Sequence, residues 1–367
     1  MERLFLILLS ALVVSFHSMP VQADENKLRV FTWEGYVSPQ EVEAVNKLLA
    51  DAGNPVRVEV IRPWAEGPDQ MYSVIASKKA DLSMLTLNYI QMQNERTAKL
   101  LQPINVQSPR LTNYKNVLDS LKNTPFGMRG NQPLYVPYGG GAYGIWANMK
   151  KVKKEDLPKS IKDLADPKWK GKVSLTKGQI QPNVALAMLA IGEKPFALHD
   201  LFVAGQAAKA NELASPTSEA QKFLNILYGQ VKTFWGSAPE FTDDLTLVAS
   251  YGIEIAGLRN KGGDWQLVPF KEGNTVWLDT MNVMAHVSGK KLEAAEIFMN
   301  YYWTPEVQKR IVNELSMVGA IKGIPNPLLD ENPNFFRQDM FWPPYHPDAD
   351  RAMKSMSSRA MISATRK

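Results

Sequence analysis

One short run near the start of the chain constrains the fold more than any other: residues 27–36 are KLRVFTWEGY. Alternating β-branched and aromatic side chains over residues 28–32 predict a buried strand. Trp33, Glu34 and Tyr36 follow at its carboxyl end, which is where open α/β sheets bind ligands. An aromatic ring beside a carboxylate favours a cationic amine, because the ring face is electronegative and the acid supplies charge. The alternative is a core tryptophan followed by a solvated glutamate in a turn.

The first 23 residues predict a secretory leader. Arg3 supplies a positive charge, residues 4–16 are an apolar stretch too short to span a bilayer comfortably, and residues 21–23 are a small-residue cleavage site. The chain has no cysteine, which excludes disulfides and a lipid-anchoring thiol. We therefore expect an exported, freely diffusing protein in a bacterial periplasm.

Strand-like runs alternate with helical patterns along nearly the whole chain, which predicts an α/β fold, and its 367 residues suggest two lobes. Ser38 is a predicted N-cap. The opening is a predicted βαβαβ unit, with helices at 39–50 and 70–77 and further strands at 56–61 and 80–85. A second unit has strands at 172–176 and 245–250, a helix at 183–191 and another ending near residue 230, and residues 276–285 would cross back. Between the units, three consecutive glycines at 139–141 suggest unusual backbone angles at a lobe crossover.

Catalytic and metal-binding patterns find little support in the sequence. His199, His286 and His346 are far apart along the chain and lack metal-ligand spacing, and there is no thiol for nucleophilic chemistry. No phosphate-binding or dinucleotide fingerprint occurs. The net charge of +5 is spread out except for the lysines at 150–154, which predict a solvated loop. We expect no enzyme activity, no cofactor, no metal and no nucleic-acid partner.

Six segments carry a family resemblance: WEGY at 33–36, residues 81–89, residues 137–148, KDLADPKWKGKV at 162–173, WLD at 277–279, and AAEIFMNYYWTPEVQ at 294–308. Together they resemble the type II periplasmic solute-binding proteins, and within them the spermidine/putrescine-binding subfamily. The resemblance implies two lobes, each a sheet flanked by helices, joined by a hinge. We expect residues 24–136 plus 280–320 in lobe 1, and 137–279 plus 321–367 in lobe 2.

Asp279 is the predicted anchor for a ligand ammonium group. It follows an apolar strand run and shares a strand face with Trp277, two residues earlier. In the subfamily that the chain resembles, this tryptophan packs on ligand methylenes and the acid pairs an ammonium. The remaining candidates are two acids and four aromatic walls, which could equally serve capping or inter-lobe packing: Glu34, Glu254, Tyr36, Tyr89, Trp235 and Tyr251.

One position departs from the subfamily pattern. Polyamine binders of this type place carboxylates after the strand at 172–176, whereas this chain has Lys177, Gly178 and Gln179. A lysine there would repel a polyamine unless it points to solvent, as the adjacent Gly178 would allow. We expect a monomer that captures a small cationic amine and presents it to an ABC permease. The alternative partner is a membrane signalling receptor of cyclic-di-GMP type, with the protein acting as a polyamine sensor that controls biofilm formation.

Overall fold

The computed structural model describes residues 26–92, 95–236 and 238–365, so the predicted leader lies outside the described residues. The strands are β1 Lys27–Phe31, β2 Arg57–Val60, β3 Leu82–Thr86, β4 Met128–Arg129, β5 Gln132–Pro133, β6 Val136–Asn148, β7 Val173–Thr176, β8 Val231–Trp235, β9 Leu247–Ser250, β10 Trp265–Leu267, β11 Thr275–Val283 and β12 Val318–Gly319. The helices are α1 Pro39–Asp51, α2 Pro68–Ala76, α3 Arg96–Lys99, α4 Gln181–Ala190, α5 Ala197–Val203, α6 Ala207–Leu213, α7 Glu219–Gly229, α8 Ile255–Asn260, α9 Gly289–Tyr302, α10 Pro305–Glu314, α11 Pro327–Glu331 and α12 Pro347–Thr365. Each strand and helix predicted from sequence lies within two residues of an observed element.

Ten of the described strands form one mixed sheet with the main order β2-β1-β3-β11-β6-β9-β7-β8. Strand β1 is parallel to β2 and β3, which is the predicted βαβαβ opening, and β7 is parallel to β8 and β9. The long antiparallel strands β6 and β11 join these two parallel halves. Residues 136–143 of β6 pair with β11, and residues 144–147 pair with β9. A single strand therefore crosses from one half of the sheet to the other.

Helices cover both halves of the sheet, and their ends follow from local sequence. Helix α1 begins as predicted: the Ser38 hydroxyl accepts from the Glu41 amide, and the Glu41 carboxylate accepts from the Ser38 amide. Its Val45 and Leu49, one helical turn apart, are fully buried. At the other end of the chain, α12 packs against α7, α4 and α5. No helix in the described part of the chain is long and apolar enough to cross a membrane.

The glycines of β6 have a different role from the one predicted. Gly140 and Gly141 lie in regular extended backbone, and neither has a positive φ. A Cβ on Gly141 would lie 2.5 Å from the Trp277 ring, and one on Gly140 would lie 2.5 Å from the Trp277 carbonyl oxygen. Glycine is therefore required because β11 and its tryptophan approach β6 closely, not because the backbone turns.

Candidate ligand-binding site

Asp279 lies in the middle of β11, within the run at 276–285 that the sequence predicted. It is opposite Thr86 of β3 on one side and Gly139 of β6 on the other. Because β11 runs antiparallel to β3, the centre of β11 meets the carboxyl end of β3. That arrangement brings the acid to the edge of the sheet where β1 and β3 end, and only 3% of the residue is exposed.

The Asp279 carboxylate is buried without a charged partner. The Tyr36 hydroxyl donates to its Oδ2 atom, and the Thr86 hydroxyl donates to Oδ1 at 2.6 Å. No lysine, arginine or histidine of the described residues forms an ion pair with it. Burial raises the pKa of Asp279 to about 6, and the two hydrogen bonds only partly offset that rise. A cation bound beside this carboxylate would strongly stabilise its charged form.

Asp81 shows what a compensated acid looks like in the same molecule. Its side chain is fully buried, yet Arg29 donates to both carboxylate oxygens, and Lys291 and His286 lie within 3.5 Å. Burial raises the pKa of Asp81, but the hydrogen bonds from Arg29 outweigh it and the net pKa is lowered. Asp81, directly before β3, and Asp279, on the neighbouring β11, are thus two buried acids whose pKa values are shifted in opposite directions. Of the two, Asp279 is the one without a cation.

Two of the predicted tyrosines, Tyr36 and Tyr89, lie near Asp279, and Tyr251 lies near Tyr89. Tyr36 stacks on Tyr138 with ring centroids 4.8 Å apart, and its hydroxyl bonds the acid. Burial, and then the Asp279 charge, raise the pKa of Tyr89 to about 12. Burial, and then Tyr89, raise the pKa of Tyr251. Asp279 thus acts electrostatically on Tyr89, and Tyr89 acts on Tyr251, and their raised pKa values keep both tyrosine hydroxyls neutral at physiological pH.

The two predicted tryptophans of this region have different surroundings. Trp277 is 7% exposed, packs on Gly141, and lies on the same face of β11 as Asp279. Trp33 and Glu34 belong to the loop after β1, where Trp33 is half-buried and Glu34 is exposed. Both indole N–H groups are buried without a hydrogen-bond partner among the described residues. Trp277 therefore lies beside Asp279 on one strand face. The loop that carries Trp33 contacts Asp279 through the Tyr36 hydroxyl.

The last two predicted residues belong to the other half of the sheet. Trp235, at the end of β8, is buried and donates its indole N–H to the Ala249 carbonyl at 3.0 Å. Glu254 precedes α8 and accepts from the Ser250 hydroxyl at 2.9 Å, and burial raises its pKa. The structure gives neither residue a contact with Asp279, so their roles as ligand wall and second acid stay predictions.

Three residues of this region were not predicted from the sequence as site residues. Thr86 ends β3 and bonds Asp279; its pairing with β11 depends on strand order, which the sequence does not display. Tyr138, next to the glycine run, stacks on Tyr36. Gln179 accepts from the Tyr251 hydroxyl, and it stands where the subfamily pattern has acids. Lys177 beside it is exposed, and its amide bonds the Trp235 carbonyl at 2.8 Å.

Two of the three histidines considered for metal binding lie near each other in the fold. His199 and His346 are distant in sequence, but α5 and the segment before α12 bring their rings to 6.1 Å, with the His346 ring also stacked on Phe202. Among the described residues, no group of three or more histidine, aspartate or glutamate side chains could hold a metal ion. His199 belongs to α5, and the His346 ring packs against it and against Phe202 of the same helix.

The architecture defines the class of protein: two lobes, each a sheet flanked by helices, as in solved periplasmic binding proteins. One is the spermidine/putrescine ABC transporter substrate-binding protein from Streptococcus pneumoniae, with a TM-score of 0.72 and 14% identity over 92% of this chain and 99% of that chain. Another, from Listeria monocytogenes, is a putative spermidine/putrescine ABC transporter, with a TM-score of 0.63 and 16% identity over 92% and 99% of the chains. These likenesses confirm the predicted fold class.

The family follows from the sequence comparison. The family model described as bacterial extracellular solute-binding protein matches residues 77–338, and the chain belongs to that family. The spermidine/putrescine-binding periplasmic proteins of Escherichia coli (strain K12) and Salmonella typhimurium are each 26% identical to it, over 298 and 301 residues. Each match covers 80% of this chain and 77% of the relative. The protein is periplasmic, which confirms the predicted localisation.

Proposed function

We propose that the protein captures a polyamine or a related amine between its two lobes and delivers it to an ABC importer. The observation that carries the proposal is the buried, unpaired carboxylate of Asp279 on the same strand face as Trp277. An ammonium group supplies the missing charge, and its neighbouring methylenes pack on the aromatic ring. The names of the relatives from Escherichia coli and Salmonella typhimurium agree with this ligand class.

The site disfavours other common ligand classes. An anion would meet the Asp279 carboxylate, which no described cation neutralises, and like charges in a desolvated site cost several kcal/mol. The Tyr36 hydroxyl that donates to the acid and the Tyr89 hydroxyl near it are neutral, so they add no positive charge. A cation with an apolar body satisfies both the acid and the aromatic surfaces.

The proposed mechanism is closure of two lobes over the ligand, with lobe 1 formed by residues 24–136 plus 280–320 and lobe 2 by residues 137–279 plus 321–367. The crossing strand β6 supports this division, because its two ends pair with different halves of the sheet. The packing of α12 on α7 and α4 supports the assignment of the C-terminal segment to lobe 2. A ligand that contacts both lobes favours the closed form, and the permease recognises that form.

The protein acts in this proposal as a monomeric binding component, and it leaves its ligand chemically unchanged. None of the relatives named above is described as a signalling protein, so the transport role is the one we propose. After incubation with the protein, an amine recovered by chromatography should be unmodified. Cells lacking the protein should take up less labelled ligand, and export of the protein should restore uptake.

The direct test is a thermal-shift screen, followed by calorimetry, with putrescine, cadaverine, norspermidine, spermidine, spermine and amino acids. A ligand that binds only the native state raises the melting temperature by mass action. Asp279→Asn should weaken binding of the best amine at least tenfold, since removal of one side of a buried charge pair costs about 2–5 kcal/mol. Asp81→Asn is the matched control: it removes a buried acid that already has cations, so it should cost stability and leave affinity unchanged. The proposal fails if no amine shifts the wild-type protein.

A further inference from the structure

The loop that carries Trp33 and Tyr36 contacts a buried ion pair whose residues are not among the predicted site residues. Arg310 of α10 donates from Nε to Glu41 Oε1 at 2.6 Å and from Nη2 to Glu41 Oε2 at 3.0 Å. The two side chains are only 16% and 6% exposed. The Tyr302 hydroxyl also donates to Glu41, at 3.2 Å. Breaking a pair this buried is strongly destabilising, because either partner alone would be an uncompensated charge.

The same guanidinium group also binds the main chain of the loop. It donates to the Gly35 carbonyl at 3.1 Å and to the Tyr36 carbonyl at 2.8 Å. The Tyr138 hydroxyl donates to the Tyr36 carbonyl as well, at 2.9 Å. Gly35 has a φ of +80°, a conformation that side chains disfavour, so this turn depends on its partners and on glycine. Arg310 thus joins α1, α10 and the loop after β1 in one group.

Tyr36 connects this group to the candidate site. Its ring stacks on Tyr138 and its hydroxyl bonds Asp279, so the position of its main chain sets the position of the hydroxyl. Tyr138 lies between the two charged groups: its pKa is raised mainly by burial and also responds to Arg310, Glu41 and Asp279. The contacts are continuous from Arg310 through Tyr36 to Asp279, with no gap along the series.

We propose that Arg310 and Glu41 are positioning residues of the binding site, which hold the Tyr36 hydroxyl against Asp279 and keep this acid ready to pair with a cation. Their pairing has a second effect. Glu41 neutralises Arg310, so an arginine can fix the loop near a cation site without repelling the cation. The proposal goes beyond the proposed function, because neither residue is a candidate ligand contact.

The test measures the titration of Asp279 by carboxyl carbon NMR in the ligand-free protein, with Asp279→Asn used to assign the signal. The titratable groups that face Asp279 are the hydroxyls of Tyr36, Tyr89 and Tyr138. Tyr36→Phe removes a hydrogen bond that lowers the pKa of this acid, so its midpoint should rise by about one pH unit or more.

Arg310→Met should raise the same midpoint, and the double variant Tyr36→Phe/Arg310→Met should match Tyr36→Phe alone, because both changes act through one hydroxyl. Arg359→Met is the matched control: this arginine also bonds a side-chain amide and a carbonyl, those of Gln221 and Ala214, but it lies on α12. It should leave the midpoint unchanged. If Arg310→Met is too unstable to measure, the double variant Arg310→Met/Glu41→Gln, which leaves neither member of the buried pair charged, should produce the same rise.

A midpoint that stays at the wild-type value in Arg310→Met, or in Arg310→Met/Glu41→Gln, would overturn the proposal, and so would additive shifts in Tyr36→Phe/Arg310→Met. Putrescine affinity at pH 7 provides a second measurement and should fall about tenfold in Arg310→Met. The NMR titration needs no ligand. The positioning role can therefore fail while the amine still binds, or hold when no amine binds.

Discussion

Asp279→Asn should stabilise the ligand-free protein while it destroys ligand binding. The wild-type carboxylate is buried, accepts two hydroxyl hydrogen bonds and has no cationic partner, so folding transfers a charge out of water without compensation. Asparagine has the same shape and can still accept from the Tyr36 hydroxyl. Removal of the charge should therefore increase the free energy of unfolding of the ligand-free protein, at the expense of its function.

The magnitude follows from the pKa of Asp279. Burial raises it from 3.8 to about 6, and a rise of about two units corresponds to about 3 kcal/mol. The folded-state pKa lies above the unfolded value, so ionisation destabilises the fold. The cost is absent below about pH 4, grows as pH rises, and is complete above about pH 6. In a chain of this length, about 3 kcal/mol corresponds to a melting-temperature change of roughly 2–5 °C.

Thermal unfolding of the two ligand-free proteins, followed by circular dichroism from pH 4 to pH 8, measures this difference. Asp279→Asn should melt higher than wild type at pH 7–8, and the two curves should converge near pH 4. Asp81→Asn should show the opposite sign, because that acid is stabilised by Arg29. If Asp279→Asn melted at or below the wild-type temperature at pH 8, the carboxylate would not be uncompensated and the reasoning would be wrong.

Three further predictions concern the ligand. Amine affinity should be constant above about pH 6 and fall up to tenfold per pH unit below it, as Asp279 becomes protonated; calorimetry at several pH values measures this, and a flat profile down to pH 4.5 would contradict it. Trp277→Phe should weaken amine binding by about 0.5–2 kcal/mol, whereas Trp169→Phe, a buried tryptophan outside the site whose indole bonds the Asp163 carbonyl, should not. Lys177→Glu should leave polyamine affinity unchanged, since the side chain is exposed beside Gly178; a gain of tenfold or more would show that Lys177 faces the ligand.

Local patterns predicted the elements of the fold well. Ser38 and Glu41 form the capping box that the sequence SPQE favours, and the alternation after Lys27 produces β1. These features depend on neighbours in sequence. Strand order does not depend on neighbours in sequence. The sheet pairs β11 with β3 and β6, which lie far from β11 along the chain. For that reason Asp279 could be predicted as an anchor while its partner Thr86 could not.

The candidate site shows the same limit. Trp277 and Asp279 were identifiable because they share a strand face within one short segment. Arg310 and its partner Glu41 were not, because the carbonyl groups of Gly35 and Tyr36 that Arg310 binds carry no signal in the sequence. The glycines of β6 were noticed for a wrong reason. Gly141 makes room for the Trp277 ring and Gly140 for the Trp277 carbonyl, which only the packing of two distant strands reveals.

The most direct measurement is a calorimetric titration of the ligand-stripped protein with putrescine and spermidine at pH 8, run in parallel on Asp279→Asn. We expect saturable binding of one amine per protein, with at least tenfold weaker affinity in the variant. Equal affinity in both proteins would contradict the assignment of Asp279 as the ammonium partner. No binding heat with either amine in the wild-type protein would contradict the proposed function itself.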